Sequence, residues 1–236
     1  FGFNPKEFTR DLTLALGTHE LTPLQMATAY ATFANGGFKV DPYLVTRIEE
    51  EDGTVVYEAN ARRVCTDCTN PAPRIMDARI AYIMDSILKD VIDKGTGRQA
   101  KALGRKDIAG KTGTTNGPRD TWFTGYNPNI VTSIWVGFDQ NTLLGRREFG
   151  SSAPLPIWID FMRSALEGIP DQLPRQPEGI VTVRINADTG APAMLGDTNV
   201  IFEMFLGDNN TERSSLGLES ALEAPKEEVS LPDELF

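Results

Sequence analysis

Residues 107–139 constrain the fold more than any other part of the chain. Three segments of strand character, residues 107–115, 120–126 and 130–139, follow one another almost without interruption. Asn116-Gly117-Pro118-Arg119 separates the first two, and Asn127-Pro128-Asn129 the last two. Residues of these types favour tight turns. Strands joined by connections so short run antiparallel, so the core of this chain is an antiparallel sheet.

Amphipathic segments flank that sheet in sequence. Residues 21–37, LTPLQMATAYATFANGG, carry helix punctuation at both ends. Thr22 suits the N-cap, Pro23 the first helical position, and Gln25 closes a capping box, while Gly36-Gly37 end the helix. His19 just before it reads as a turn or packing residue. Residues 43–57 read as a hairpin around Glu51-Asp52-Gly53. Between residues 77 and 94, Ile80, Ile83, Met84, Ile87, Leu88 and Val91 follow helical spacing, and Gly95 supplies the stop. A further helix over residues 156–166 buries Ile157, Trp158, Phe161 and Met162, with Gly168 at its end. Residues 1–168 thus form one domain portion. Residues 169–179, IPDQLPRQPEG, form a proline-rich linker. Residues 180–236 form an extension with one strand at 180–185, an Ala187-Asp188-Thr189-Gly190 turn, and a mobile acidic tail from about residue 208.

Composition narrows the function. A chain of 236 residues with 40% hydrophobic and 24% charged residues is an ordinary globular protein. Its net charge of −10 argues against nucleic acid as a partner. No apolar run approaches the ~20 residues that a membrane span needs. The chain begins FGFNPKEF, without an initiator methionine, and reads as the middle of a longer polypeptide. Cys65-Thr66-Asp67-Cys68 is a single cysteine pair, and His19 is the single histidine. Structural zinc takes four ligands, so no metal is expected. A local disulfide or two free thiols remain.

The stretch AGKTGTTNGPRDTWFTGY, residues 109–126, is the candidate for chemistry. A phosphate loop needs G-x-x-x-x-G-K-[ST] before a helix. Gly104 to Thr112 has one residue too many between its glycines, and TGTTNGP cannot continue as a helix. Ser86-x-x-Lys89 matches the pattern of a lysine-activated serine. Helical geometry, however, puts both residues on the solvated side of their helix. Lys111-Thr112-Gly113-Thr114 remains. On a strand, Thr112 and Thr114 share a face and can bind a carboxylate, with the charge of Lys111 nearby. Gly113 lets a neighbour or ligand approach the backbone. An unpaired edge there offers N–H groups to an oxyanion. A surface strand with incidental Lys and Thr is the plain alternative for so short a motif.

Longer blocks decide between them. TLALGTHELTPLQMATAYATFANGG, IMDSILKDVIDKGTGRQA and AGKTGTTNGPRDTWFTGYNPNIVTSIWVGFD resemble the transpeptidase domain of class A (bifunctional) penicillin-binding proteins. The resemblance runs from Phe1 to about Gly207. It implies an α+β fold, an antiparallel sheet flanked by helices, incomplete in this chain and with a small β extension. It also implies serine acyl transfer on the D-Ala-D-Ala end of peptidoglycan stem peptides, and acylation by β-lactams, without a cofactor. Lys111 would supply charge near the serine network, Thr112 and Thr114 would bind the terminal carboxylate, and the Thr114 N–H would be half of the oxyanion hole. Trp122 and Phe123 would be core residues beside the cleft. The family orders its motifs as S-x-x-K, S-x-N and K-T-G, of which this chain holds the third. The nucleophile is therefore expected on an upstream segment, and the membrane anchor outside this chain. The family's setting is the periplasmic face of the bacterial inner membrane, which favours oxidised cysteines. A non-catalytic, fold-completing or partner-binding fragment is the alternative.

Overall fold

The structure, a computed structural model, describes residues 1–207 except Gly2, Arg10 and Thr66. The acidic tail expected from residue 208 lies outside the described residues. The chain divides into two compact units, Phe1–Gln176 and one that begins at Pro177.

In the first unit, helix α1 (Pro23–Ala34) starts as its sequence dictates. The Thr22 side chain accepts from the Gln25 amide, and the Gln25 side chain accepts from the Thr22 amide. Gly37 follows with a φ of 109°. Strands β1 (Arg47–Glu49) and β2 (Val55–Glu58) form the expected antiparallel hairpin, shorter than the sequence suggests and exposed throughout. Two short 3-10 turns, Pro5–Glu7 and Leu12–Leu16, precede α1. His19 stacks on the Phe8 ring at 3.9 Å, a packing contact. Cys65 and Cys68 form a disulfide, which leaves no thiolate for a metal.

Helix α2 (Ala78–Asp93) has the expected extent, but its buried face differs. Ala81, Asp85, Leu88 and Ile92 are buried, whereas Ile87 is 51% exposed and Ile80 38%. The cause is a polar anchor. Asp85 turns inward to accept from the Tyr126 hydroxyl at 3.0 Å and to pair with Lys89 at 2.6 Å. Lys89 and Ser86 are accordingly half-buried rather than on a solvated side, a correction to the helical-wheel expectation.

The sheet follows: β3 (Ala109–Thr114), β4 (Asp120–Tyr126) and β5 (Val131–Gly137), antiparallel in the order β3-β4-β5. Helix α3 (Pro154–Ala165) covers one face with Leu155, Trp158, Ile159 and Met162, whereas Ile157 and Phe161, expected to be buried, are exposed. There Phe123, Leu155, Trp158 and Met162 are fully buried together with Ile108, Ile92 and Leu166. The Phe123 and Trp158 rings meet edge-on, 5.0 Å apart. They fit because Gly110 and Gly125 pair across β3 and β4. A Cβ on Gly125 would stand 2.8 Å from both rings, closer than side-chain carbons pack. On the opposite face Tyr126 and Ala109 pack with Leu88 of α2 and with Tyr30 and Phe33 of α1. Burial pushes the Tyr30 hydroxyl up to about 12. Burial raises that of Tyr126 further, helped by the Asp85 carboxylate.

In the second unit, β6 (Ile180–Asn186) pairs antiparallel with β7 (Val200–Leu206). The residue pattern foretold the first of these strands. The second lies near the end of the family resemblance, which runs to about Gly207.

Candidate functional site

β3 begins at a buried ionic clamp. Arg105 donates two bonds to the Asp107 carboxylate, at 2.8 and 2.7 Å, and one to the Ile169 carbonyl. Asp107 is 1% exposed and also accepts from the Gln172 amide at 3.0 Å. Burial alone would raise the pKa of Asp107, but the Arg105 guanidinium and these hydrogen bonds outweigh it and hold the carboxyl below its usual range. Hydrogen bonding to Asp107 in turn raises the pKa of the Arg105 guanidinium.

From this anchor the strand runs outward. Ala109 and Gly110 are buried, Thr112 and Gly113 half-buried, and Lys111 and Thr114 exposed. Among the described residues β4 is the only strand paired with β3, so the other edge of β3 is open. The Thr115 amide donates to the Asp120 carbonyl at 3.0 Å. Inward- and outward-facing residues alternate along an antiparallel ladder, so the backbone N–H groups of Thr112 and Thr114 face the open edge.

Side chains follow the same alternation. Thr112, opposite Phe123, and Thr114, opposite Thr121, share the face of Gly110, while Lys111, opposite Thr124, lies on the other. Lys111 reaches the edge nonetheless, with Nζ donating to the Thr112 carbonyl at 2.9 Å and lying 3.5 Å from Thr112 Oγ1. An ammonium, two hydroxyls and two free amides thus gather along one strand edge. Such a set can bind a carboxylate and stabilise charge developing on a nearby oxygen.

Two partners of this edge escaped the sequence reading. Thr96, in Gly95-Thr96-Gly97, places its Oγ1 2.6 Å from Thr112 Oγ1. The Gly150 amide donates to Thr114 Oγ1 at 3.0 Å. Gly150 has no room for a side chain, since a Cβ there would stand 2.6 Å from the Trp122 carbonyl and 2.7 Å from that of Gly113. The glycines on either side of Thr96 were the available signal. Gly150, 36 residues from its partner, left none.

Of the two expected neighbours, Phe123 belongs to the core at 0% exposure. Trp122 is half-buried on the other face, against Trp135 and beneath Gly113. A concavity of about 340 Å³ opens elsewhere, at the disulfide loop, lined by Glu58, Arg63, Cys68 and Asn70 among others, and it contains no residue of β3. Among the described residues no group of acidic, histidine or cysteine side chains is arranged to hold a metal, and no helix is long and apolar enough to cross a membrane.

The chain is similar to several known proteins. The chain is 46% identical over 246 residues to penicillin-binding protein 1A of Pseudomonas aeruginosa, covering 87% of this chain and 30% of that protein. It is 45% identical over 182 residues to penicillin-binding protein 1A of Neisseria gonorrhoeae, covering 77% of this chain and 22% of that protein. Among solved structures, penicillin-binding protein 1A from Haemophilus influenzae superposes with a TM-score of 0.79 at 33% identity, over 87% of this chain and 35% of that one. PonA1 of Mycobacterium tuberculosis, solved in complex with penicillin V, matches at 0.61 and 28%, over 71% of this chain and 44% of that one. The chain therefore spans less than half the length of these relatives. The family model described as penicillin binding protein transpeptidase domain matches residues 2–162, well over half of the sequence, and the chain belongs to that family.

Proposed function

We propose that this chain supplies the substrate-binding strand of a peptidoglycan D,D-transpeptidase whose serine nucleophile lies on a preceding segment of the same protein. The observation that carries the proposal is the open edge of β3, where Lys111, the Thr112 and Thr114 hydroxyls and the Thr114 amide converge. In this reading the serine hydroxyl attacks the carbonyl of the D-Ala-D-Ala bond. The leaving D-Ala takes up a proton, and the amine of a second stem peptide then displaces the serine to form the cross-link. The Thr112 and Thr114 hydroxyls hold the terminal carboxylate. Lys111 contributes positive charge beside it and beside the serine network. The Thr114 N–H takes the developing oxyanion from one side, a donor of the kind worth ~2.7–4 kcal/mol in an acyl-transfer site.

A β-lactam presents the same carboxylate and carbonyl and stops at the serine ester. The reaction takes place on the periplasmic face of the bacterial inner membrane, in an enzyme whose other activity is glycosyl transfer. The second reading, a fragment that completes a fold or binds a partner without chemistry, is favoured by Ser86, the single serine before Lys111, lying half-buried beside a lysine already paired with Asp85.

Labelled benzylpenicillin separates the readings. The isolated chain should carry no adduct by mass spectrometry, and the protein with its preceding segment should carry one on that segment. An adduct on the isolated chain, at Ser86 for instance, refutes the division of labour. No adduct with the segment present, in folded protein, leaves the non-catalytic reading standing.

A further inference from the structure

We infer that Thr96 is a positioning residue for the anion subsite on β3: it occupies a lone pair of the Thr112 hydroxyl, so that the Thr112 proton is left for a carboxylate. The inference rests on the reading of β3 given above and adds a residue from outside the strand. Thr96 stands in the turn between α2 and the 3-10 segment Arg98–Leu103. The turn is held from both sides. The Gly95 amide donates to the Asp90 carbonyl at 3.0 Å and the Gly97 amide to the Val91 carbonyl at 2.9 Å. A Cβ on Gly97 would lie 3.2 Å from the Val91 carbonyl oxygen, so the backbone approaches the helix end more closely than most residues allow.

Either hydroxyl of the 2.6 Å pair can donate, and we assign the donor role to Thr96. Lys111 Nζ is a donor with no acceptor capacity, and it lies 3.5 Å from Thr112 Oγ1 on the strand side. Thr112 Oγ1 therefore faces one donor already. With Thr96 as the donor, its hydroxyl at 2.6 Å supplies a second. With both lone pairs engaged, the Thr112 proton is the group left to meet a ligand. Thr114 is set up in parallel. Its Oγ1 accepts from the Gly150 amide, a donor only, and its proton is likewise free. Thr112 and Thr114 share a strand face, so two oriented O–H donors stand side by side, and an anion is what such a pair binds.

The test is run on the full-length protein that contains this chain, with benzylpenicillin and its methyl ester as probes. The second-order acylation rate is measured for wild type, Thr96→Val, Thr96→Ser, Thr112→Val and Lys111→Ala, alongside each melting temperature. Thr96→Val keeps the β-branched shape and loses the hydroxyl. It should slow acylation by benzylpenicillin about 2- to 12-fold, the weight of one neutral hydrogen bond. The methyl ester, which lacks the anion, should react with Thr96→Val at the wild-type rate. Thr96→Ser should restore the benzylpenicillin rate. An equal decline for both probes, or a wild-type rate for both, overturns the inference. If Thr112→Val and Lys111→Ala slow acylation while Thr96→Val does not, the inference fails alone. If neither of those two slows it, the reading of the strand itself fails. Should Thr96→Val melt early, the ratio of the two probe rates still decides, because a packing defect does not distinguish an acid from its ester.

Discussion

β4 and the outer half of β3 belong to one sheet, yet they are built for opposite ends. Five of the seven residues of β4 are buried, with Phe123 under α3 and Tyr126 under α1 and α2. β3 begins in the same fashion, with Ala109 and Gly110 buried, and then leaves cover at Lys111. A central strand is stabilised by apolar contacts on both faces. The outer half of an edge strand has few such contacts, but its amides and hydroxyls remain available. The buried half holds the open half in place, so ligand-binding groups sit on a rigid support without being packed themselves. Substitutions along the sheet should therefore divide sharply into those that affect stability and those that affect chemistry.

The largest effect is expected in the covered region. Phe123→Ala removes a ring that is fully buried against Trp158, and truncations of this kind cost ~3–5 kcal/mol. Chemical denaturation of the chain should show a loss of that size. A small loss would mean that α3 does not seal this face. Next comes Lys111→Ala in the full-length protein. The loss of a charge acting on an anionic ligand commonly costs ~2–5 kcal/mol, or about a 30- to 5,000-fold fall in acylation rate. Stability should change by less than ~1 kcal/mol, because Lys111 is exposed. Lys111→Arg should also be impaired, since a planar fork does not replace a compact ammonium. An unchanged rate in folded Lys111→Ala would erase the contrast between the two regions.

The smallest expected effect sharpens the comparison at its hinge. Asp107 is held below its usual carboxyl range in the folded protein. As pH falls, the unfolded chain takes up that proton first. The contribution of Asp107 is therefore full above about pH 4 and is lost as pH falls through its lower folded value. Asp107→Asn should cost ~1–3 kcal/mol at neutral pH, because Arg105 loses the nearer of its two carboxylate partners. It should also flatten the acid side of the stability profile measured by urea titration from pH 2 to 7. A profile identical to wild type would place the anchor of β3 elsewhere.

Much of this division can be read in the residues. The turn at residues 127–129, the capping box at Thr22 and the succession of three strands depend on neighbours close in sequence, and all three occur where the residues put them. The face of α2 does not follow its apolar spacing, because Asp85 answers to Tyr126, 41 residues away. β7, VIFEMFL, is apolar at six of seven positions and shows no alternation to mark it as a strand. At the candidate site, Lys111, Thr112 and Thr114 announce themselves as a motif. Thr96 and Gly150 matter only through contacts that a distant part of the chain brings to β3.

The clamp at Arg105 and Asp107 also closes a long loop of chain. It joins residues 65 apart, and between them lie all of β3, β4, β5 and α3. Closing a loop of that length costs entropy that grows only with the logarithm of its size, while the strands inside it pair with their immediate neighbours. The segment from Arg105 to Gln172 is thus tied together at its two ends, while Ile92 and Ala100 from outside it complete the core around Phe123. The clamp holds the buried start of β3 to the chain that follows α3, so the open edge is carried by a strand fixed at its base.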